Sequence, residues 1–253
     1  MRSCPDSVRV PWPGLLAMAL VAAGLALIGL GDQPLRDFDE GTVARVALEL
    51  SQGQGEAALL PTLWGEPYLN KAPGLHSLIG AVIQLSTPGD QLPPEGLVRL
   101  MPALLSSLVV PLGGLLQWRL RPGDRGSALA TGALLLTLLP IARHGRLAML
   151  DGSQLSAMAL LWLAFASLNG RSSDRWWGLT AGLMGSAMLL LKAPLLIPMA
   201  AAALAAAALG MEWRQCRVGA AVTGLLTGLL PGIAWHLWHA HNRGALALWM
   251  WGG

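Results

Sequence analysis

The sequence predicts an all-α, polytopic integral membrane protein of about seven transmembrane helices, with a long first outer loop carrying interfacial helices. Three observations carry that prediction. Hydrophobic residues make up 54% of the chain and charged residues 12%, with a mean hydropathy of +0.53. A soluble domain needs far more charge to cover its surface. Stretches rich in Leu, Ala, Gly and Val run for about 18 residues or more without a charge, enough to cross ~30 Å of hydrocarbon. The basic residues sit in short clusters between these stretches, where they set topology. The pI of 9.4 is therefore no sign of a nucleic-acid partner.

The first span falls near 14–30. Its run of about seventeen apolar residues is long for the ~7–15 residues of a signal-peptide core, and further spans follow, so a retained signal-anchor is expected. After it comes "RDFDEGTVARVALEL" (36–50), which crowds Asp37, Asp39 and Glu40 together. Val43, Val46, Ala47 and Leu50 recur at i, i+3, i+4 and i+7, and Arg45 pairs with Glu49 at i, i+4. This spacing predicts a helix lying on the membrane surface, with Asp39 suited to cap it. Ala72–Leu85, "APGLHSLIGAVIQL", would reach only about 21 Å as a helix. It fits an interfacial or re-entrant segment better than a crossing.

Six more spans follow, near 97–117, 126–142, 153–169, 176–191, 193–210 and 218–238. The apolar run 176–210 would be about 52 Å long as one helix, too much for one crossing, so it should break at Lys192-Ala193-Pro194. The whole chain, 1–253, reads as a single transmembrane domain with its first outer loop at 31–96.

Charge orients the spans. With the N-terminus inside and 72–87 not crossing, Arg2, Arg9 and the arginines of "RLRPGDR" (119–125), "NGRSSDR" (169–175) and "EWRQCR" (212–217) lie in the cytoplasm. They outnumber Arg143, Arg146, Lys192 and Arg243 on the outer side, as the positive-inside rule requires. Cys4 and Cys216 then both fall in the cytoplasm, where no disulfide is expected. Trp118, Trp176, Trp177 and Trp213 form one aromatic belt, and Trp235, Trp238, Trp249 and Trp251 the other. The outer surface then collects Asp37, Asp39, Glu40, Lys71, Arg143, Arg146, Asp151 and Lys192, which are expected to converge on one pocket. For the three outer basic residues the competing reading is headgroup anchorage. "HLWHAH" (236–241) reads as interfacial polar residues at a helix end in preference to a metal site.

Four stretches in this order, "DFDEGTVARVALEL", "LPTLWGEPYLNKAPGLHSLIGA" (60–81), "RHGRLAMLDGSQLSAMALLWLA" (143–164) and "LLKAPLLI" (190–197), carry a resemblance. They resemble the polyprenyl-phosphate-sugar glycosyltransferases of the type C architecture, the group that includes lipid A aminoarabinose transferase and the protein O-mannosyltransferases. The resemblance covers roughly 31–198 and implies the N-terminal half of a longer family fold. It also implies that Asp39 is the catalytic carboxylate of the first outer loop, Asp151 the second family aspartate and Lys71 the motif lysine. Asn70 stands where members usually carry Glu. Arg45 would have to replace an Arg common at the position after a small residue, where this chain has Gly41-Thr42. Asp37, Glu40, Asn70 and Tyr68 are expected to support the site.

The chemistry that follows is transfer of a sugar from a polyprenyl phosphate to a hydroxyl of a lipid, glycan or protein, on the periplasmic face of the plasma membrane. Lys71, Arg143, Arg146 and Lys192 would take the departing phosphate. One carboxylate, Asp39, would accept the proton of the attacking hydroxyl, and a single displacement inverts the sugar. A divalent ion held by Asp39 and Asp151 would share the phosphate charge. Two other readings compete: a transporter or flippase for an anionic lipid or sugar, and an inactive truncated remnant of the transferase.

Overall fold

A computed structural model of the chain describes residues 9–36, 38–87, 91–210 and 217–252. Asp37, Cys4, Cys216, Arg2 and Trp213 lie outside the described residues. The described chain is helical apart from one two-stranded hairpin. In order come α1 (Trp12–Leu27), α2 (Asp39–Gln52), β1 (Thr62–Leu63), β2 (Glu66–Pro67), α3 (Gly74–Ser86), α4 (Glu95–Ser107) and α5 (Val109–Leu120). There follow α6 (Arg125–Thr137), α7 (Leu139–His144), α8 (Leu150–Ala166), α9 (Asp174–Lys192), α10 (Leu196–Gly210), α11 (Val218–Arg243) and a last turn, α12 (Trp249–Gly252).

Glu95–Leu120, Asp174–Ala206 and Val218–Ala247 are long and apolar enough to cross a membrane by length and composition; α1 and α8 are shorter apolar helices. The chain is a multi-pass membrane protein. Proline placed the breaks within its apolar runs. The span expected at 97–117 is α4 and α5 in series, parted at Leu108, where Pro111 cannot donate to the carbonyl of Ser107. The span expected at 126–142 stops earlier: Leu138 is extended (ψ 117°) just before Pro140, and α7 begins a new direction. That bend carries Arg143 off the span and onto the surface. Lys192 ends α9 with φ −144° and ψ 79°, and a 3-10 turn at Ala193–Leu195 leads into α10, so the expected break at Pro194 is present. α10 then folds back: the Trp162 indole donates to the Met199 carbonyl at 3.0 Å, and Leu196 and Met199 pack on Met184 and Met188.

Contacts sort the helix ends into two faces. On the upper face, Gly31 after α1 lies against Gly96 at the start of α4, Lys192 meets Asp151 at 3.0 Å, and Trp235 of α11 donates to the Leu59 carbonyl at 3.1 Å. On the lower face, Arg119 donates to the carbonyls of Ala166 and Ser167 at 3.0 and 3.2 Å, and the Asp174 carboxylate accepts from the backbone N–H of Gly170 and of Arg217. Among the described residues, the acidic and basic side chains expected to share one side thus do share the upper face, and the loops at 119–125 and 169–175, with Arg217, lie at the other. Glycines let α9 and α11 touch along their length: Gly182 faces Gly228 with backbone on backbone, in the small-residue packing typical of membrane helices.

The expected surface helix is α2, and Val43, Val46, Ala47 and Leu50 are its buried face. Val43 and Ala47, with Leu48, join Leu75, Ile79 and Ile83 of α3 and Val98 of α4 in the core under the upper face. α3, only 13 residues long, spans about 20 Å.

Candidate functional site

The acidic cluster resolves into separate roles. Phe38 turns the chain with φ +68°, α2 starts at Asp39, and no side chain caps it. Asp39 is therefore the first helical residue and not the expected N-cap; its charge is favourable there through the helix dipole alone. Its side chain is exposed. Glu40, the next residue, is fully buried. Its two oxygens accept from Arg99 at 2.7 and 2.8 Å, from the Ala148 N–H at 2.7 Å and from the Arg36 N–H at 3.0 Å. Burial pushes the Glu40 carboxyl up. The Arg99 hydrogen bonds, the two N–H donors and the Arg99 charge outweigh that and hold it below the usual range. Arg99 places its remaining donors on the carbonyls of Leu30, Gln33 and Pro34. All five guanidinium N–H groups are thereby used. Glu40 is a strut that ties α2, α4 and the loop before α8 to the end of α1. Sequence reasoning missed Arg99, although a lone Arg entering an apolar span is the kind of residue that must find a buried partner.

Glu49 is a second strut. Arg45 donates to it at 2.6 Å, as expected from the i, i+4 spacing, but so do the Thr62 hydroxyl at 2.5 Å and the N–H groups of Trp64 and Gly65 at 2.8 and 3.2 Å. These hold a two-residue hairpin turn with Trp64 at φ +57° and Gly65 at φ +81°. A two-residue turn of this hand matches the strand twist, and its first position is strained for Trp. Arg45 stacks over the Trp64 ring at 4.2 Å and keeps it there. Arg45 is thus engaged with the hairpin through Glu49 and Trp64. The hairpin delivers Tyr68, whose ring meets His76 edge-on at 5.8 Å, and then Asn70 and Lys71.

Lys71 reaches α9 through a close approach. A Cβ on Gly74 would lie 2.6 Å from the Leu190 carbonyl oxygen, so only glycine lets α3 begin there. Lys71 and Lys192 consequently line one cavity of about 190 Å³, with Asn70 beside them and Leu191, Pro194, Met250 and Trp251 as apolar walls. The Lys192 ammonium donates to Asp151 at 3.0 Å, and both side chains are partly exposed. In that setting the pair contributes little to stability; its effect is to aim Lys192. Trp251 touches His236, whose ring nitrogen lies 3.1 Å from the Leu189 carbonyl. His239 stacks on Trp235 at 4.7 Å. These histidines pack the upper end of α11, and the wall they support was not anticipated from the sequence.

Arg143 and Arg146 do not join the lysines. They line a different cavity of about 660 Å³ with Arg36 and the edge of Arg99, between the end of α1 and α7. The bend before Pro140 is the reason: it swings α7 toward α1 and away from α9. The expected single pocket is therefore two, one built on lysines and one on arginines. Among the described residues, no three His, Cys, Asp or Glu side chains gather where they could hold a metal ion.

No protein-family model matches the chain, and no curated protein sequence matches it. Solved structures do. The chain is similar to the crystal structure of ArnT from Cupriavidus metallidurans bound to undecaprenyl phosphate, with a TM-score of 0.73 and 18% identity over 96% of this chain. The apo structure of the same protein gives a TM-score of 0.74 with 18% identity over 95% of this chain. In both, the match spans 44% of the ArnT chain. At this identity the likeness establishes the fold: this chain folds as a little under half of ArnT does.

Proposed function

We propose that this chain, with a fold shared by ArnT, carries the donor side of a membrane glycosyltransferase that takes its sugar from a polyprenyl phosphate. One observation supports this most directly: Lys71 and Lys192 line one small cavity, and Asp151 holds Lys192 in it. The fold and the undecaprenyl phosphate bound to ArnT agree with the motif resemblance. We assign Asp39 to the same assembly; its neighbour Glu40 accepts from the Ala148 N–H, three residues before Asp151, which supports that reading.

In the reaction the two ammonium groups face the donor phosphate. As the bond between the sugar carbon and the phosphate oxygen breaks, the electron pair leaves with the phosphate, and the lysines stabilise the added charge. Asp39 accepts the proton of the attacking hydroxyl as the new carbon–oxygen bond forms on the opposite side of the sugar, which inverts the centre. An exposed carboxylate suits this task, since it must meet an acceptor arriving from solvent or from the membrane surface. Glu40, sealed and saturated, does not.

The test uses the full-length product containing this chain, in membranes supplied with a labelled polyprenyl-phosphate sugar. Asp39→Asn should fold and bind donor as before, while transfer falls about 100- to 10,000-fold. A transfer rate unchanged in Asp39→Asn would remove Asp39 as the base. Absence of donor binding in the unaltered protein would overturn the whole reading. A lipid transporter with the same pocket would keep its activity in Asp39→Asn.

A further inference from the structure

We propose that the arginine cavity is a second lipid site, which binds an anionic membrane phospholipid with its phosphate on Arg36, Arg143 and Arg146 and an acyl chain in the crevice below. The site is separate from the lysine cavity: the two share no lining residue.

The charge is uncompensated. Arg99 borders the cavity, but its donors are spent and its charge is met by Glu40. Arg146 donates to the Ala26 and Ile28 carbonyls at the end of α1. That uses two of its five N–H groups and leaves three. Arg36 and Arg143 are exposed, and neither side chain has a hydrogen-bond or ion-pair partner among the described residues. Among the described residues no Asp or Glu lines the cavity; the Asp32 carboxylate lies beside Gly29 at its edge. Three guanidinium charges on one concave surface attract an anion, and the planar fork favours a phosphate, which it can grip with two parallel bonds.

The second observation says that the anion carries a tail. A crevice of about 250 Å³ lies next to the arginine cavity and shares Ala142 and Arg146 with it. Its walls are small or apolar: Ala22, Leu25 and Ala26 from α1, Ala103 and Ser107 from α4, and Val110 from α5. From the level of Ala103 to that of Val110 it runs about 10 Å along α4 and α5, away from the arginines. Leu25 is 52% exposed on its rim. A free phosphate would leave this apolar crevice unused, whereas a phospholipid fills both halves at once. The donor lipid is not the occupant, because the proposed reaction places its phosphate at Lys71 and Lys192. That an anionic lipid binds here rests on the arginine geometry alone; that it is a lipid other than the donor rests on the proposed reaction.

The experiment is native mass spectrometry of the full chain in neutral detergent, titrated with phosphatidic acid, with diacylglycerol of the same chains, and with glycerol phosphate. Phosphatidic acid should bind, and the two part-molecules should bind far more weakly. The double variant Arg36→Gln, Arg143→Gln should weaken phosphatidic acid about ten- to a hundredfold, the loss expected for charge-assisted hydrogen bonds. Leu25 is half-exposed on the crevice and does not line the arginine cavity, so Leu25→Trp should fold; it should weaken phosphatidic acid and leave glycerol phosphate unchanged. Polyprenyl phosphate added in excess should not displace the phospholipid. One-for-one displacement, equal binding of diacylglycerol, or phosphatidic acid affinity unchanged in the double arginine variant would each overturn the second site. Failure of polyprenyl phosphate to bind at all would count against the proposed reaction and leave the second site intact.

Discussion

Two of the ion pairs on the upper face do opposite things. Glu40–Arg99 is buried, with side chains 0% and 5% exposed, and every donor and acceptor is used. Asp151–Lys192 is only slightly longer, at 3.0 Å against 2.7 Å, yet its side chains are 56% and 36% exposed and one edge opens on a cavity. Opposite charges at similar distances therefore become architecture in one place and a site in the other. Burial makes the difference, because a sealed pair cannot lose either member without stranding a charge, while an exposed pair exchanges its partner for water or a ligand at little cost.

The largest effect should come from breaking the sealed pair. Arg99→Met leaves Glu40 buried and unpaired and should cost about 3–5 kcal/mol in unfolding experiments in detergent. Replacing both members with Met should recover most of that loss. If Arg99→Met cost less than about 1 kcal/mol, the contrast between the two pairs would collapse. Glu49→Gln comes next, because it weakens bonds from Arg45, Thr62, Trp64 and Gly65 together; bonds to a charged group contribute about 1.5–3 kcal/mol. Hydrogen exchange at Trp64 and Gly65 should accelerate, with a smaller change in global unfolding.

Acid should act on the sealed region in two windows. Burial holds His76 at about 4, with the Ala72 carbonyl pulling weakly the other way, against an ordinary value of 6.5. Between those values the unfolded chain takes up a proton that the folded chain refuses, so stability should fall as pH drops from 6.5 toward 4. His76→Phe should flatten that part of the melting profile; an unchanged slope would remove His76 as its cause. Glu40 and Glu49 are both held below their ordinary 4.5. Their contribution is full above 4.5 and lost as pH falls through the lowered values. The smallest stability effect belongs to the open pair: Lys192→Gln should cost no more than about 1 kcal/mol, while polyprenyl-phosphate binding weakens about tenfold. A large loss of stability in Lys192→Gln would make that pair a strut as well.

Much of this molecule follows from the order of its residues. Uncharged runs longer than a bilayer is thick must be helices in lipid, because every backbone polar group has to be satisfied within the segment, and the described helices accordingly fall on the expected spans, except that the one expected at 126–142 breaks at Leu138. The break at Lys192 was legible because Pro194 acts on its nearest neighbours in the chain. So were the buried stripe Val43–Leu50 and the Arg45–Glu49 pair, which depend only on helical spacing. What the sequence could not determine is which charges would be sealed. Asp39 and Glu40 are adjacent and chemically alike, and their fates parted because Arg99, 59 residues away, reaches one of them. The division of the basic residues into lysine and arginine cavities was equally hidden, since it turns on the direction α7 takes after Pro140 and on how closely α3 approaches Leu190. Local sequence fixes spacing along a helix. Only tertiary packing decides which distant donor arrives, and therefore which carboxylate is left open to a ligand.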